Sequence, residues 1–276
     1  MQSLQKDHIT DLYVLIDDML PKKLKNGSQT GRPTLLENSE LLTILAWNSL
    51  TVKQRNLKDL YNYTRMHFSS EFPKLPKYTG FVCHCHRITP VLLFVLRNLL
   101  LDKAAIKFMD STMLEVCKLQ RADDHKVCKG LAKFGKNWQG WHFGFKLHTG
   151  VDAKGRICSF ALTPADVYDA QMIPALTNKH TKIIVGDSHY GAKAMREHIF
   201  EKYGTIIVSP PHFKQRKKVA TIWQNILLSM RSKIESTFDY LKNHLNIVTS
   251  FPRSINGYLF HYLRILLGYQ LLALSF

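Results

Sequence analysis

Acidic side chains are scarce in this chain: Asp and Glu number 21 against 38 Lys and Arg, a formal charge of +17 and a pI near 9.7. An excess of that size gathers polyanions around a protein, so nucleic acid is the expected partner, ahead of an anionic membrane surface. Cysteines are few as well. The 5 of them, at positions 83, 85, 117, 128 and 158, form no disulfide-framework spacing, which excludes a stapled secreted scaffold and fits a reducing, cytoplasmic compartment. "CHCHR" (83–87) lacks a second ligand pair at finger-like spacing, so structural zinc is not the expected reading. The start, "MQSLQKDHITDLYVLIDDML", shows no basic region leading into an uninterrupted apolar stretch, so no signal peptide is expected. Repeats and low-complexity tracts are missing too. What is present is an ordinary 45% of apolar residues in 276, enough for one or two domains with a proper core.

The first hundred residues read as helices. Leu12, Leu15, Ile16 and Met19 recur at helical spacing before Pro21, and "KKLKNGSQTGRP" links them to "ENSELLTILAWNSL". "NLKDLYNYTRMHF" and "ITPVLLFVLRNLLL" are further helices. After Ala105 the pattern changes. "IKFMDST" is a strand, and "WHFGFKLHTGVD" and "RICSFALTPA" are a hairpin around "DAKGR". "YDAQMIPALTNKH" is a short helix, "KIIVGDSHYG" a strand, "AKAMREHIFEKYG" a helix with a Gly stop and "TIIVSPP" a strand. A basic loop, "HFKQRKK", then leads into a long helix from about 222 to 247. "GYLFHYLRILLGYQLLALSF" approaches membrane length, but His261 and Arg264 interrupt it, and a core-packing terminal helix is expected.

Two of the few acids stand at strand ends: Asp110 closes the first strand and Asp187 the fourth. If those strands are central and parallel, the carboxylates meet at one sheet edge, where they repel unless a proton or a cation separates them. Mg²⁺, hard and oxygen-seeking, suits such a pair, and two ions about 3.5–4 Å apart activate one oxygen and stabilise another. The third acid expected is Glu235 in "SMRSKIESTFDYLK", with Arg231 four residues before it and Lys242 seven after it on one helical face. Asp166 and Asp169 read as helix caps and Asp152 as a turn residue, while Asp123 and Asp124 fall in a loop. His142 and His148, an even number of residues apart, face one side of their strand.

The spacing Arg231, Glu235, Lys242, together with "FMDST", "VGDSHYG" and "GWHFGFKLH", resembles bacterial insertion-sequence transposases of the DDE class, most closely the 982 family of insertion sequences. The resemblance spans roughly residues 30–270 and departs from the pattern at Leu228, where related signatures carry Tyr. It implies a ribonuclease H-like α/β catalytic domain over 105–250, with a mixed sheet flanked by helices. A mainly helical N-terminal DNA-binding region (1–104) precedes it, and a helical extension (251–276) packs on the core. It also implies that Asp110, Asp187 and Glu235 hold two Mg²⁺ ions, replaceable by Mn²⁺, and that Arg231 and Lys242 touch DNA phosphate. Lys214, Arg216, Lys217 and Lys218 of the basic loop would grip backbone without reading sequence, and His148 and Tyr190 lie near the proposed site. Recognition of element ends is assigned to the helices flanked by Arg32, Lys53 and Arg55. The expected activity is cleavage of double-stranded DNA at the element ends and joining of the 3′-hydroxyl to target DNA, by a dimer or larger synaptic complex near the bacterial nucleoid. A nuclease or resolvase without strand transfer, and a DNA-binding regulator with decayed chemistry, are the alternatives.

Overall fold

The computed structural model describes residues 2–25, 34–210 and 221–274, the side chains of 2–7 excepted. In chain order come α1 (Gln2–Met19), α2 (Lys22–Lys25), α3 (Asn38–Trp47), α4 (Leu57–His67), α5 (Tyr78–Arg87) and α6 (Thr89–Leu99). Strands β1 (Ile106–Glu115), β2 (Lys133–Asn137), β3 (Gly140–Val151) and β4 (Ile157–Pro164) follow. After them stand α7 (Ile173–Leu176), β5 (Ile183–Val185), α8 (Lys193–Tyr203), β6 (Ile206–Val208), α9 (Ile222–Ser229), α10 (Ser232–Asp239) and α11 (Ile255–Leu274). The chain forms two compact units: residues 1–99 with 244–247 and 251–276, and residues 100–243 with 248–250.

The first unit is helical because its apolar residues recur at helical spacing and bury each other. Ile9, Leu12 and Ile16 of α1 are buried and pack toward α3, whose Leu41, Leu42, Ile44 and Leu45 are also buried. The terminal apolar run forms α11, buried along most of its length against α3 and α6. Two of its polar residues bond backbone carbonyls: Arg264 donates through Nη2 to that of Arg55 (3.1 Å), its buried Nε and Nη1 having no hydrogen-bond partner among the described residues, and Gln270 donates to that of Leu99 (2.7 Å). "CHCHR" lies on α5 and points its side chains around a helix. His84 is buried on Asn38 (2.8 Å), while Cys83 is exposed and Cys85 buried. Among the described residues no single helix is long and apolar enough to cross a membrane.

The second unit is a mixed α/β layer. Its six strands run β2-β3-β1-β5-β6, with β4 also paired to β3. The first four strands pair antiparallel and β5 and β6 extend β1 in parallel. Helices flank the sheet: α10 packs on β1 and β3, α7 on β4, and α8 and α9 on β6. One core joins Met109, Ile173, Leu176, Ile184, Ile199 and Ile207 around the ring of Tyr190.

Several sequence expectations change here. β1 does not stop at Asp110 but continues to Glu115, because the long β3 keeps pairing with it through Glu115↔Gly144. "KFGKN" is an additional strand, β2, so the strand before Asp187 is the fifth. The short helix after Tyr168 opens as a 3₁₀ turn, Asp169–Met172. The long helix of 222–247 is interrupted. Arg231 N–H bonds Leu228 O (3.2 Å), and Lys233 and Ile234 bond back to Met230 and Arg231, all three residues behind. This tighter winding separates α9 from α10, and a π-helical turn, Tyr240–His244, follows. Arg231, Glu235 and Lys242 therefore do not share one continuous helical face. The α8 stop is as expected, with Gly204 in the left-handed region (φ 66°).

Candidate active site

Parallel pairing places Asp110 and Asp187. β1 and β5 are in register at Phe108↔Val185, and two residues beyond that last pair stand Asp110 and Asp187. β5 is only three residues long, so on this side of β1 the ladder ends before Asp110. Gly186 makes the exit possible. A Cβ there would lie 2.7 Å from the Tyr190 ring, so the missing side chain leaves room for that ring rather than relaxing a strand. Asp187 then caps the turn Ser188–Gly191, accepting from His189 N–H (2.8 Å), with His189 Nδ1 2.9 Å from its other oxygen.

Asp110 is largely buried, and its pKa is raised to about 6. Burial is the main cause; the Ser111 N–H opposes it, the Asp187 charge raises it, Arg231 lowers it and Asp169 raises it. Arg231 Nη2 stands 3.9 Å from Asp110 Oδ2, held by the tight turn between α9 and α10. Tyr190 is 1% exposed, and its hydroxyl has no hydrogen-bond partner among the described residues. Burial pushes its pKa up, as do Asp169, Asp110 and Asp187, so the phenol stays protonated beside three carboxylates.

Asp169 is the residue the sequence reading placed wrongly. It makes no helix cap; Lys146 Nζ lies 3.0 Å from Oδ1 and also donates to Val167 O (2.8 Å). His148 Nδ1 is 3.7 Å from the same oxygen. His148 Nε2 meets Thr163 Oγ1 at 2.8 Å, and that hydroxyl already donates to Pro164 O, so Nε2 carries the proton. Burial depresses His148 to about 4, so it is neutral and Lys146 balances Asp169. The signal available in the sequence was Lys146 and His148, two apart on one strand face, which need an acid.

Glu235 is exposed on the first turn of α10, and among the described residues no group of three or more His, Cys, Asp or Glu side chains is gathered to hold an ion. The charges of Asp187, Arg231 and Asp169 all act on Asp110, and those of Asp169, Asp110, Asp187 and Arg231 on Tyr190, so the structure brings these five residues together. Lys242 sits in the π-helical turn, where burial lowers its pKa and the Glu115 charge offsets this. His142 bonds Glu115 and Asn137 and is structural. Asp152 accepts from the Lys154 and Arg156 N–H groups and pairs with Arg156 (2.6 Å), as a turn residue should. Lys214, Arg216, Lys217, Lys218 and Arg32 lie outside the described residues.

A family model described as "Transposase DDE domain" matches residues 101–255, a span close to the second compact unit. No solved structure matches the chain.

Proposed function

The chain belongs to the DDE transposase domain family, whose members cut and join DNA, and from that premise we propose that it cleaves the ends of an insertion sequence and joins the 3′-hydroxyl to target DNA. The observation that carries this is the meeting of Asp110 and Asp187 at one end of a central parallel pair, with Arg231 facing Asp110. The sheet is read as ribonuclease H-like, with antiparallel strands extended by parallel ones.

Divalent cations suit the donors present. Asp110 and Asp187 are hard oxygen donors whose mutual repulsion a cation would relieve; burial chiefly raises the Asp110 pKa, and the Asp187 charge adds to it. When bound, such ions would lower the pKa of an attacking hydroxyl and stabilise the leaving oxygen. Asp110 and Asp187 would hold them, with Glu235 of α10 as the third ligand. Arg231 would pair with a phosphate oxygen. Tyr190 would hold its proton at Oη and donate to a carboxylate. Lys242 and the basic segment 212–218 would bind backbone, and the helices around Lys53 and Arg55 would recognise the ends, in a dimer or larger assembly working on both ends in the bacterial cytoplasm.

The test is cleavage and joining of cognate ends with Mg²⁺ or Mn²⁺, comparing the unaltered protein with Asp110→Ala, Asp187→Ala and Glu235→Ala. Loss of both cut and joined products in all three is expected. Cutting without joining of pre-cut ends would reduce the assignment to a nuclease, and full activity of any variant would remove that residue from the ligand set.

A further inference from the structure

The longest stretch of strand that no acid accompanies is also where aromatic side chains are left uncovered. From His125 to Val151 the chain contains no Asp or Glu but carries Lys126, Lys129, Lys133, Lys136 and Lys146. Within it, the β1 ladder on β3 ends at Glu115↔Gly144, while β2 and β3 go on pairing from Phe134↔Phe143 to Asn137↔Gly140. These residues form a two-stranded ribbon beyond the end of β1, closed by the two-residue turn Trp138–Gln139, where Gln139 N–H bonds Asn137 Oδ1 (2.8 Å).

The ribbon has two unlike faces. One packs inward: a Cβ on Gly135 would meet Ala165 O at 2.3 Å, and His142 is tied to Asn137 Oδ1 (2.8 Å) and Glu115. The other carries Phe134, Lys136 and Trp141, since Phe134 pairs with Phe143 and Lys136 with Trp141 across the strands. Trp141 is 56% and Phe134 44% exposed, Lys136 Nζ stands 5.8 Å from the centre of the Trp141 ring, and Trp138 at the tip is 91% exposed. Leaving two indoles in water is costly unless a partner covers them. A lysine set among flat rings, in a stretch of chain that carries no acid of its own, matches a phosphate backbone whose bases are free to stack.

We propose that this ribbon is a separate single-strand DNA site, with Trp138 and Trp141 stacking on unpaired bases and Lys136 on the phosphates. The inference rests on DNA being the substrate, as proposed above, and adds that part of it is unpaired. The ribbon projects from the same end of the sheet as Asp110 and Asp187. Asp110 pairs with Thr149, nine residues along β3 from Gly140, so the tip reaches about 30 Å from the acids at about 3.4 Å per residue. Its place is the flank of a cut site rather than the scissile phosphate.

The experiment uses the full chain without divalent metal. Tryptophan fluorescence and anisotropy are followed on adding a mixed-sequence single-stranded oligonucleotide or the duplex of the same length. Expected are quenching by the single strand, a loss of about ten-fold in single-strand affinity for Trp138→Ala, a smaller loss for the duplex, and near-normal binding for Trp138→Phe. Trp138 is a solvent-exposed turn residue, and an unchanged thermal midpoint checks that the variants fold. Equal single-strand affinity of the unaltered protein, Trp138→Ala and Trp141→Ala overturns the inference while leaving the transposase reading intact. A change of oligomeric state in Trp138→Ala, with DNA binding intact, also overturns it and makes the ribbon a contact between copies. No binding of either DNA by the unaltered protein overturns both readings.

Discussion

Asp110 carries an energetic cost that the site tolerates. Its folded pKa, about 6 against an ordinary 3.8, means that between those values the native protein holds a proton the unfolded chain has released. Stability from this group is therefore full below about pH 4 and declines as pH rises through 6, by about 3 kcal/mol at roughly 1.4 kcal/mol per pH unit. Asp110→Asn should remove that slope. In urea melts with chelator present, the variant should gain on the parent at pH 7.5 and not at pH 4; an equal gain at both would contradict the raised pKa. A neighbouring residue makes the opposite prediction. Asp169 balances Lys146, whose ammonium is nearly enclosed. Asp169→Ala should destabilise by about 3 kcal/mol, because it strands a buried charge. Adding Lys146→Met should restore most of the loss, which a double-mutant cycle reads directly; purely additive losses would show that the pair is not coupled.

At the scale of elements, the end of β5 depends on a small residue and a large one together. Gly186→Ala would drive a methyl into the Tyr190 ring, at a cost of about 1–3 kcal/mol for overpacking. Because Asp187 caps the turn that carries Tyr190, cleavage should fall further than the lost stability explains. A variant with a lowered thermal midpoint but parental cleavage at permissive temperature would separate the two. Most elements around this turn were legible in the sequence. β5, β6, α8 with its glycine stop and the β3–β4 hairpin all follow from β-branched runs, helical spacing and turn residues. The illegible parts are those where pairing overrides local signals. β1 runs past Asp110 because β3 is long, and β2 forms from "KFGKN" only because β3 offers it an edge. The break at Met230–Arg231 has no Gly or Pro to announce it, since it consists of hydrogen bonds shifted by one residue. For the site, Asp110 and Asp187 were readable as acids following apolar strand runs and Arg231 by its spacing to Glu235, although Asp110 lies within β1 and Arg231 at the break before α10. Asp169 was not, because its partners lie on another strand, 21 to 23 residues earlier.

On the scale of the whole molecule, the positive excess of 17 charges acts before any side chain touches DNA. A field of that sign speeds encounter and supplies affinity without sequence preference. It also resists close packing of the protein with itself, so assembly on DNA, where phosphates neutralise the excess, is favoured over assembly in its absence. Duplex binding should therefore fall steeply with salt. If about six phosphates are neutralised, the slope of log K against log salt is about −5. Replacing exposed Lys133 and Lys136 by Gln should make that slope shallower by about one for each phosphate lost, while Trp138→Ala should lower single-strand affinity without changing it. A slope near zero for the parent would mean that the charge excess serves solubility alone, and the case for a DNA substrate would then rest on the family match without support from electrostatics.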